Sequence, residues 1–494
     1  MRAATLLQVQ EVYDPAHSCD YRAGDHYTEY TTDGDDYFDY TSVADEISAH
    51  GSARVLAALF EAATHGDLTK VIALVQSHAS SIDVNAQNED GETVLHLAVS
   101  GGHHDIVQYL SGCECGVQVE ARSASGWTPL MSAIDAGDVS MARILIDAGA
   151  DVNLLWIKSY SCLSCAVAFC AQQPESPSRH GMVRLLITSG ADIDAYHAES
   201  GRTPLHVATM FESVDAMALL VEFGADLTVT DMDNCTVADV AAEKGLLSVL
   251  RWLETQGLTQ AFERETSTKQ TPLTRAAAGG YLDVVEYLVR CQNDRWLRKR
   301  EKAGTVTDYL CACRSQALYW ALQTGNYEIV VFLCENGAKA SRIGASVGYN
   351  HTTALHIAAK YGRLDIAEFL IENQGADVNY RNQRGRTPLH TAVIEGHLTM
   401  VKLLLVHGAE VDAVSKSRLA IMANKKADMK TALEFALWHG HYNVAELLLR
   451  HGAGVYAPVS IAEEINRCRH VGVTGDEIGR LRQLVKEFMV GERL

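Results

Sequence analysis

Cys162, Cys165, Cys170 and His180 are the residues that most invite chemistry, because Cys-x-x-Cys spacing lets two thiolates reach one tetrahedral zinc ion. Their register argues the other way. Cys162 and Cys165 fall at apolar, core-facing places of a recurring segment, where a thiol packs as a small hydrophobe. Cys113 with Cys115, and Cys311 with Cys313, are spaced to point in alternating directions, and neither pair is assigned a metal. Gly452, Gly454 and Ala457 match Gly-x-Gly-x-x-Ala, yet no strand precedes them and Gly452 sits where a helix ends. His96, His206, His356 and His390 recur at one position, where an imidazole braces a turn, while His103, His104, His439 and His441 read as solvated helix-start residues. The Gly-x-Ser-x-Gly, Gly-x-x-x-x-Gly-Lys and His-Glu-x-x-His patterns are absent. The expectation is therefore no catalytic residue, no cofactor, no metal and no enzyme.

The material around these residues is globular. The chain has 494 residues, 47% hydrophobic and 21% charged, with 42 Lys plus Arg against 62 Asp plus Glu for a net charge of -20. That balance repels phosphate backbones and speaks against direct nucleic-acid binding by bulk charge. No stretch approaches 18 consecutive apolar residues and no export signal precedes the twelve cysteines, so the expectation is an intracellular chain with reduced thiols and no membrane segment.

Residues 1–50 differ from the rest. They carry eleven acids against Arg2 and Arg22, interleaved with aromatics that include Tyr37, Phe38 and Tyr40, and they show no helical or strand period. Such a composition keeps sticky side chains solvated, and the segment reads as a disordered tail, either purely solvating or a fold-on-binding ligand.

From about residue 52 a pattern returns. A Thr-Pro-Leu-His-like tetrad, small residues, a Gly, an apolar-rich helix and a Gly-Ala-Asp follow one another, clearest at Gly385, Arg386, Thr387, Pro388, Leu389 and His390 and again at Gly201 to His206. Tetrads begin near Ala57, Thr93, Thr128, Ser161, Thr203, Thr236, Thr271, Gln316, Thr353, Thr387 and Thr431, which makes eleven copies. Thr caps a helix start and Pro follows where no amide donor is needed. Gly149, Gly190, Gly224 and Gly408 take the left-handed position that ends the second helix. Residues 459–494 close the array, with Ile478, Leu481, Leu484, Val485 and Phe488 at helical spacing as a C-terminal cap.

These motifs resemble the ankyrin repeat over about 400 residues. The resemblance implies an all-α solenoid of helix pairs with short β-hairpin finger loops, spanning 51–458, and a concave groove that binds other proteins through finger and first-helix positions. On that basis Trp127, Trp156, Tyr349 and Arg386 are candidate partner-binding residues.

Three repeats are stretched. The first insertion, around Ser176 and Pro177, separates the two helices of one repeat and is either a tolerated loop or a modification site. The second holds Arg290, Arg295, Trp296, Arg298, Lys299 and Arg300, which fit a solvated helix extension, a nuclear address or an acidic partner. The third holds Lys416, Arg418, Lys425 and Lys426 and is expected to project from the same finger edge as the second. Contact between these basic loops and the acidic tail is equally allowed by charge. The leading reading is an intracellular adaptor, cytoplasmic with a nuclear role as transcriptional co-regulator. Its rivals are an inhibitor or substrate receptor without that role, and an enzyme or pathway component using the groove.

Overall fold

Helix starts follow from local chemistry. Thr128 and Thr271 are extended and precede helices that open on Pro129 and Pro272, and each hydroxyl accepts from an amide three residues on, Met131 N at 3.4 Å and Thr274 N at 3.3 Å. Helix ends are equally local, since Gly149, Gly190, Gly224 and Gly408 have φ of 97°, 92°, 96° and 83°.

The computed structural model describes residues 45–77, 82–113, 115–155, 160–172, 177–258, 262, 270–299, 303–341, 352–415, 430–454, 479 and 483. For 45–52, 177–178, 295–299 and 303–309 it describes the backbone alone. Tyr37, Phe38, Tyr40, Trp156, Ser176, Arg300, Tyr349, Lys416, Arg418, Lys425, Lys426 and nearly all of the 459–494 cap lie outside the described residues, as do the side chains of Arg295, Trp296, Arg298 and Lys299.

The chain divides into two units, residues 1–237 and 238–494. In the first, helix pairs run α1 (Asp45–His65) with α2 (Leu68–Ser77), α3 (Val94–Ser100) with α4 (His104–Gly112), and α5 (Pro129–Ala136) with α6 (Val139–Asp147). Then come α7 (Cys162–Gln172) with α8 (Pro177–Thr188) and α9 (Pro204–Met210) with α10 (Val214–Glu222). The first helices stack in succession from α1 to α9, and the second helices from α2 to α8. The apolar stripes of neighbouring pairs meet there, and Leu95, Ile106, Val107, Leu110, Ile134 and Leu145 are fully buried.

In the second unit, α11 (Val237–Lys244) begins at the boundary and pairs with α12 (Leu247–Thr255). After α13 (Pro272–Gly279) come α14 (Leu282–Lys299), α15 (Ala303–Thr324) and α16 (Tyr327–Glu335). The last pairs are α17 (Ala354–Tyr361) with α18 (Leu364–Glu372), α19 (Pro388–Ile394) with α20 (Leu398–Val406), and α21 (Ala432–Trp438) with α22 (Tyr442–Arg450). First helices stack from α13 to α21 and second helices from α12 to α22. Among the described residues, each of the eleven tetrads read from sequence lies in or immediately before the first helix of one pair.

Four readings are corrected. Helix α1 begins at Asp45, so the last residues assigned to the tail are helical. The second insertion is no finger loop: it lengthens α14 and α15, so the third insertion, which interrupts a finger between the bridged residues Val414 and Thr431, does not share its position. Cys113 and Cys115 do not point in alternating directions: the chain leaves α4 at Cys113 and brings the two side chains together, with Cα atoms 5.3 Å apart. His103 and His441 are not merely solvated: their Nε2 atoms lie 3.0 Å from Thr64 O and Ile394 O, and His397 Nε2 lies 2.9 Å from Lys360 O, each bracing the preceding repeat.

The fingers are Asx-type turns rather than long hairpins. Among the described residues, pairing is limited to isolated antiparallel bridges, Leu155 with Ser161 and Val414 with Thr431. Asn residues then tie one finger to the next. Asn379 donates through Nδ2 to Gly408 O at 3.1 Å and accepts from Glu410 N at 2.8 Å, and Asn153 does the same with Gly190 O and Asp192 N. Asn379→Ala removes both bonds, and thermal denaturation should register a loss of about 1–2 kcal/mol. An Asn379→Ala melting curve superimposable on the wild type would show that these bonds do not couple repeats.

Candidate functional site

The site is built where the finger before α19 meets the exposed end of α17. Asn382 shapes that finger: its Oδ1 accepts from Arg384 N at 3.0 Å and Arg386 N at 3.1 Å, and Gly385 takes φ 68° at the tip. Beneath it, His356 is buried. Thr353 N donates to its Nδ1 at 3.4 Å, which leaves Nε2 to carry the ring proton and donate to Arg386 O at 2.9 Å. Arg386 is thus held at both its amide and its carbonyl, and its half-buried guanidinium lies over the Phe435 ring, 5.0 Å from the centroid.

A cleft of about 390 Å³ opens beside this arrangement, lined by Lys360, Tyr361, Arg384, Arg386, Ile394 and Glu395 among others. Lys360 Nζ sits 5.1 Å from the Tyr361 ring centroid. Next to the finger, Lys430 Nζ lies 3.0 Å from the ring centroid of Trp438, which is 59% exposed. Burial, and then the like charge of Arg384, push the Arg386 guanidinium below its usual range. Burial, followed by His441 and Arg386, lowers His439 as well. The corner is electropositive in a chain of net charge -20.

Of the residues expected to bind partners, Arg386 belongs to this cleft. Trp127 belongs to a finger of the other unit: its amide donates to Ser123 Oγ at 3.1 Å, its carbonyl receives His96 Nε2 at 2.9 Å, and its side chain is half-buried. Lys360, Arg384 and Trp438 were not among the expected residues. Arg384 could have been found from the Arg-Gly-Arg run at the finger tip, whereas Lys360 looks like an ordinary helix-surface residue until the stack brings it to the same cleft as the finger.

Cys162, Cys165 and Cys170 are buried in α7, and burial raises the Cys165 and Cys170 thiols. Among the described residues no group of three His, Cys, Asp or Glu side chains is arranged to hold a metal ion, and no helix is long and apolar enough to cross a membrane.

The profile of ankyrin repeats (3 copies) matches this chain at 59–155, 170–260, 240–344, 295–382, 339–415 and 375–458. The ankyrin repeat and KH domain-containing protein mask-1 of Caenorhabditis elegans is 26% identical over 313 residues, covering 63% of this chain and 11% of that protein. The nuclear factor NF-kappa-B p105 subunit of Gallus gallus is 30% identical over 233 residues, covering 40% of this chain and 23% of that protein. The chain therefore spans between about a tenth and a quarter of the length of these relatives. Among solved structures, the ankyrin repeat domain of Bcl-3, described as a unique member of the IkappaB protein family, shares 26% identity with a TM-score of 0.41. It covers 46% of this chain and 97% of that one.

Proposed function

This chain belongs to the ankyrin-repeat family, and on that premise we propose that it is an adaptor that binds partner proteins through its finger and first-helix side and acts in transcriptional control. Ankyrin repeats are protein-interaction modules, so the coarse role follows from the family itself. The observation that carries the choice of surface is the finger at Arg384 and Arg386, where two guanidinium side chains meet at an open cleft. The transcriptional part draws support from the acidic, aromatic composition of residues 1–50 and from likeness to the p105 subunit.

A crosslinking pulldown from the native cell tests this reading with the intact protein, a version lacking residues 1–50, and one carrying Arg298→Glu, Lys299→Glu and Arg300→Glu. Recovery of a transcription-factor set by the intact chain, with loss of that set or of nuclear location in the variants, is the expected result. Partners with no link to transcription, recovered equally by all three proteins, would remove the transcriptional part and leave an adaptor that binds by its finger side alone.

A further inference from the structure

The corresponding finger of the other unit shows what the cleft lacks. Arg202, which follows Gly201 as Arg386 follows Gly385, has its Nε 3.8 Å from Asp231 Oδ2, and Asp231 stands 29 residues later in the next finger. Twenty-nine residues after Arg386 stands Ser415, whose buried hydroxyl accepts from Lys430 N at 3.2 Å while its amide donates to Lys430 O at 2.9 Å. No described carboxylate lies within ion-pair distance of Arg386, Arg384 or Lys360. Glu395 is the one acid among the cleft-lining residues. A half-buried guanidinium with another cation beside it and no counter-ion is a costly arrangement that an arriving carboxylate relieves, and the planar fork of Arg suits that ligand.

We propose that the Lys360, Arg384 and Arg386 cleft is a docking site for an acidic peptide segment of a partner protein, whose carboxylates take the place that Asp231 fills at Arg202. This rests on the adaptor reading and names its partner chemistry. The apolar wall of Tyr361 and Ile394 favours a segment in which acids alternate with aromatic side chains. A polyphosphate chain is the less suitable occupant, because Glu395 lies in the lining and the whole chain is strongly acidic.

The full chain is titrated into a short fluorescent peptide alternating Asp and Tyr, with an Asn-and-Tyr peptide and a labelled single-stranded oligonucleotide as comparisons, all read by anisotropy. Ser415→Asp, which supplies the missing carboxylate in cis, and the exposed pair Lys360→Glu with Arg384→Glu should each weaken the acidic peptide by about tenfold or more with little change in melting temperature. The Asn-containing peptide should not bind. Equal affinity in wild type and variants, or no binding by the wild type, overturns the acidic-peptide site while leaving the pulldown result, and with it the adaptor reading, intact. Oligonucleotide binding that exceeds peptide binding and is lost in the same variants would overturn it in favour of a nucleic-acid ligand.

Discussion

Lowering the pH from 7.5 to 5 should destabilise this protein by several kcal/mol while its carboxylates stay largely ionised. The cause is the row of buried tetrad histidines. Burial lowers His96 and His206, and holds His356 and His390 down at about 4 against an ordinary 6.5. Geometry points the same way, since the Thr353 and Thr387 amides donate to the Nδ1 atoms of His356 and His390, and a proton added there would face a donor. The folded state therefore keeps these rings neutral. The unfolded chain takes up protons below about pH 6.5 that the folded chain refuses, so stability is complete above 6.5 and is lost as pH falls from there towards 4. A gap of roughly two units is worth about 3 kcal/mol for each of His356 and His390 when fully titrated, and about half to two-thirds of that at pH 5. Urea midpoints at pH 7.5 and 5 measure the loss. A His356→Gln, His390→Gln variant should be weaker at pH 7.5 but show a much smaller drop. A drop as large in the variant as in the wild type would assign the acid sensitivity to other groups.

Those histidines also show what was legible beforehand. Thr203, Pro204 and His206 form a signature whose meaning is local: a cap, a residue without an amide donor, and a ring that returns to the cap backbone at 3.3 Å. Such positions can be read without knowing the fold, and the eleven tetrads accordingly mark eleven helix pairs among the described residues. Interactions made only by stacking could not be read this way. His103 and His441 stand at helix starts in sequence, but their acceptors, Thr64 O and Ile394 O, are 39 and 47 residues away. The basic run after Arg290 was ambiguous between loop and helix because lysine and arginine are good helix formers as well as surface residues. The backbone of α14 resolves it as helix through Lys299. The cleft was half legible. Arg386 stood out as a charge near a finger turn, but the contrast between Asp231 and Ser415 becomes informative only when Arg202 is seen against a carboxylate.

Gly91→Val should be the most damaging single change at a finger tip, while the same substitution at Gly149 should cost far less. Both glycines have positive φ, 69° and 97°, so either change strains the backbone by about 1–2 kcal/mol. Their surroundings differ. A Cβ at Gly149 meets nothing within 4 Å, whereas one at Gly91 would stand 2.3 Å from Ala124 N. That nitrogen cannot withdraw freely, because Ala124 N donates to Asp90 O at 3.0 Å and so ties the next finger to this one. Adding a side chain at Gly91 must break this tie or displace the turn in which Gly91 N donates to Asn88 O at 2.9 Å. Strain, clash and a lost bond together come to about 3–5 kcal/mol, against about 1–2 kcal/mol at Gly149. The damage should also be local, because each repeat is supported by its immediate neighbours. Hydrogen exchange should report opening around α3 and α5 in Gly91→Val, with α17 to α20 protected as in the wild type. Equal melting temperatures for the Gly91 and Gly149 variants would refute the finger-to-finger contact as a source of stability, and would leave backbone strain as the whole effect at both sites.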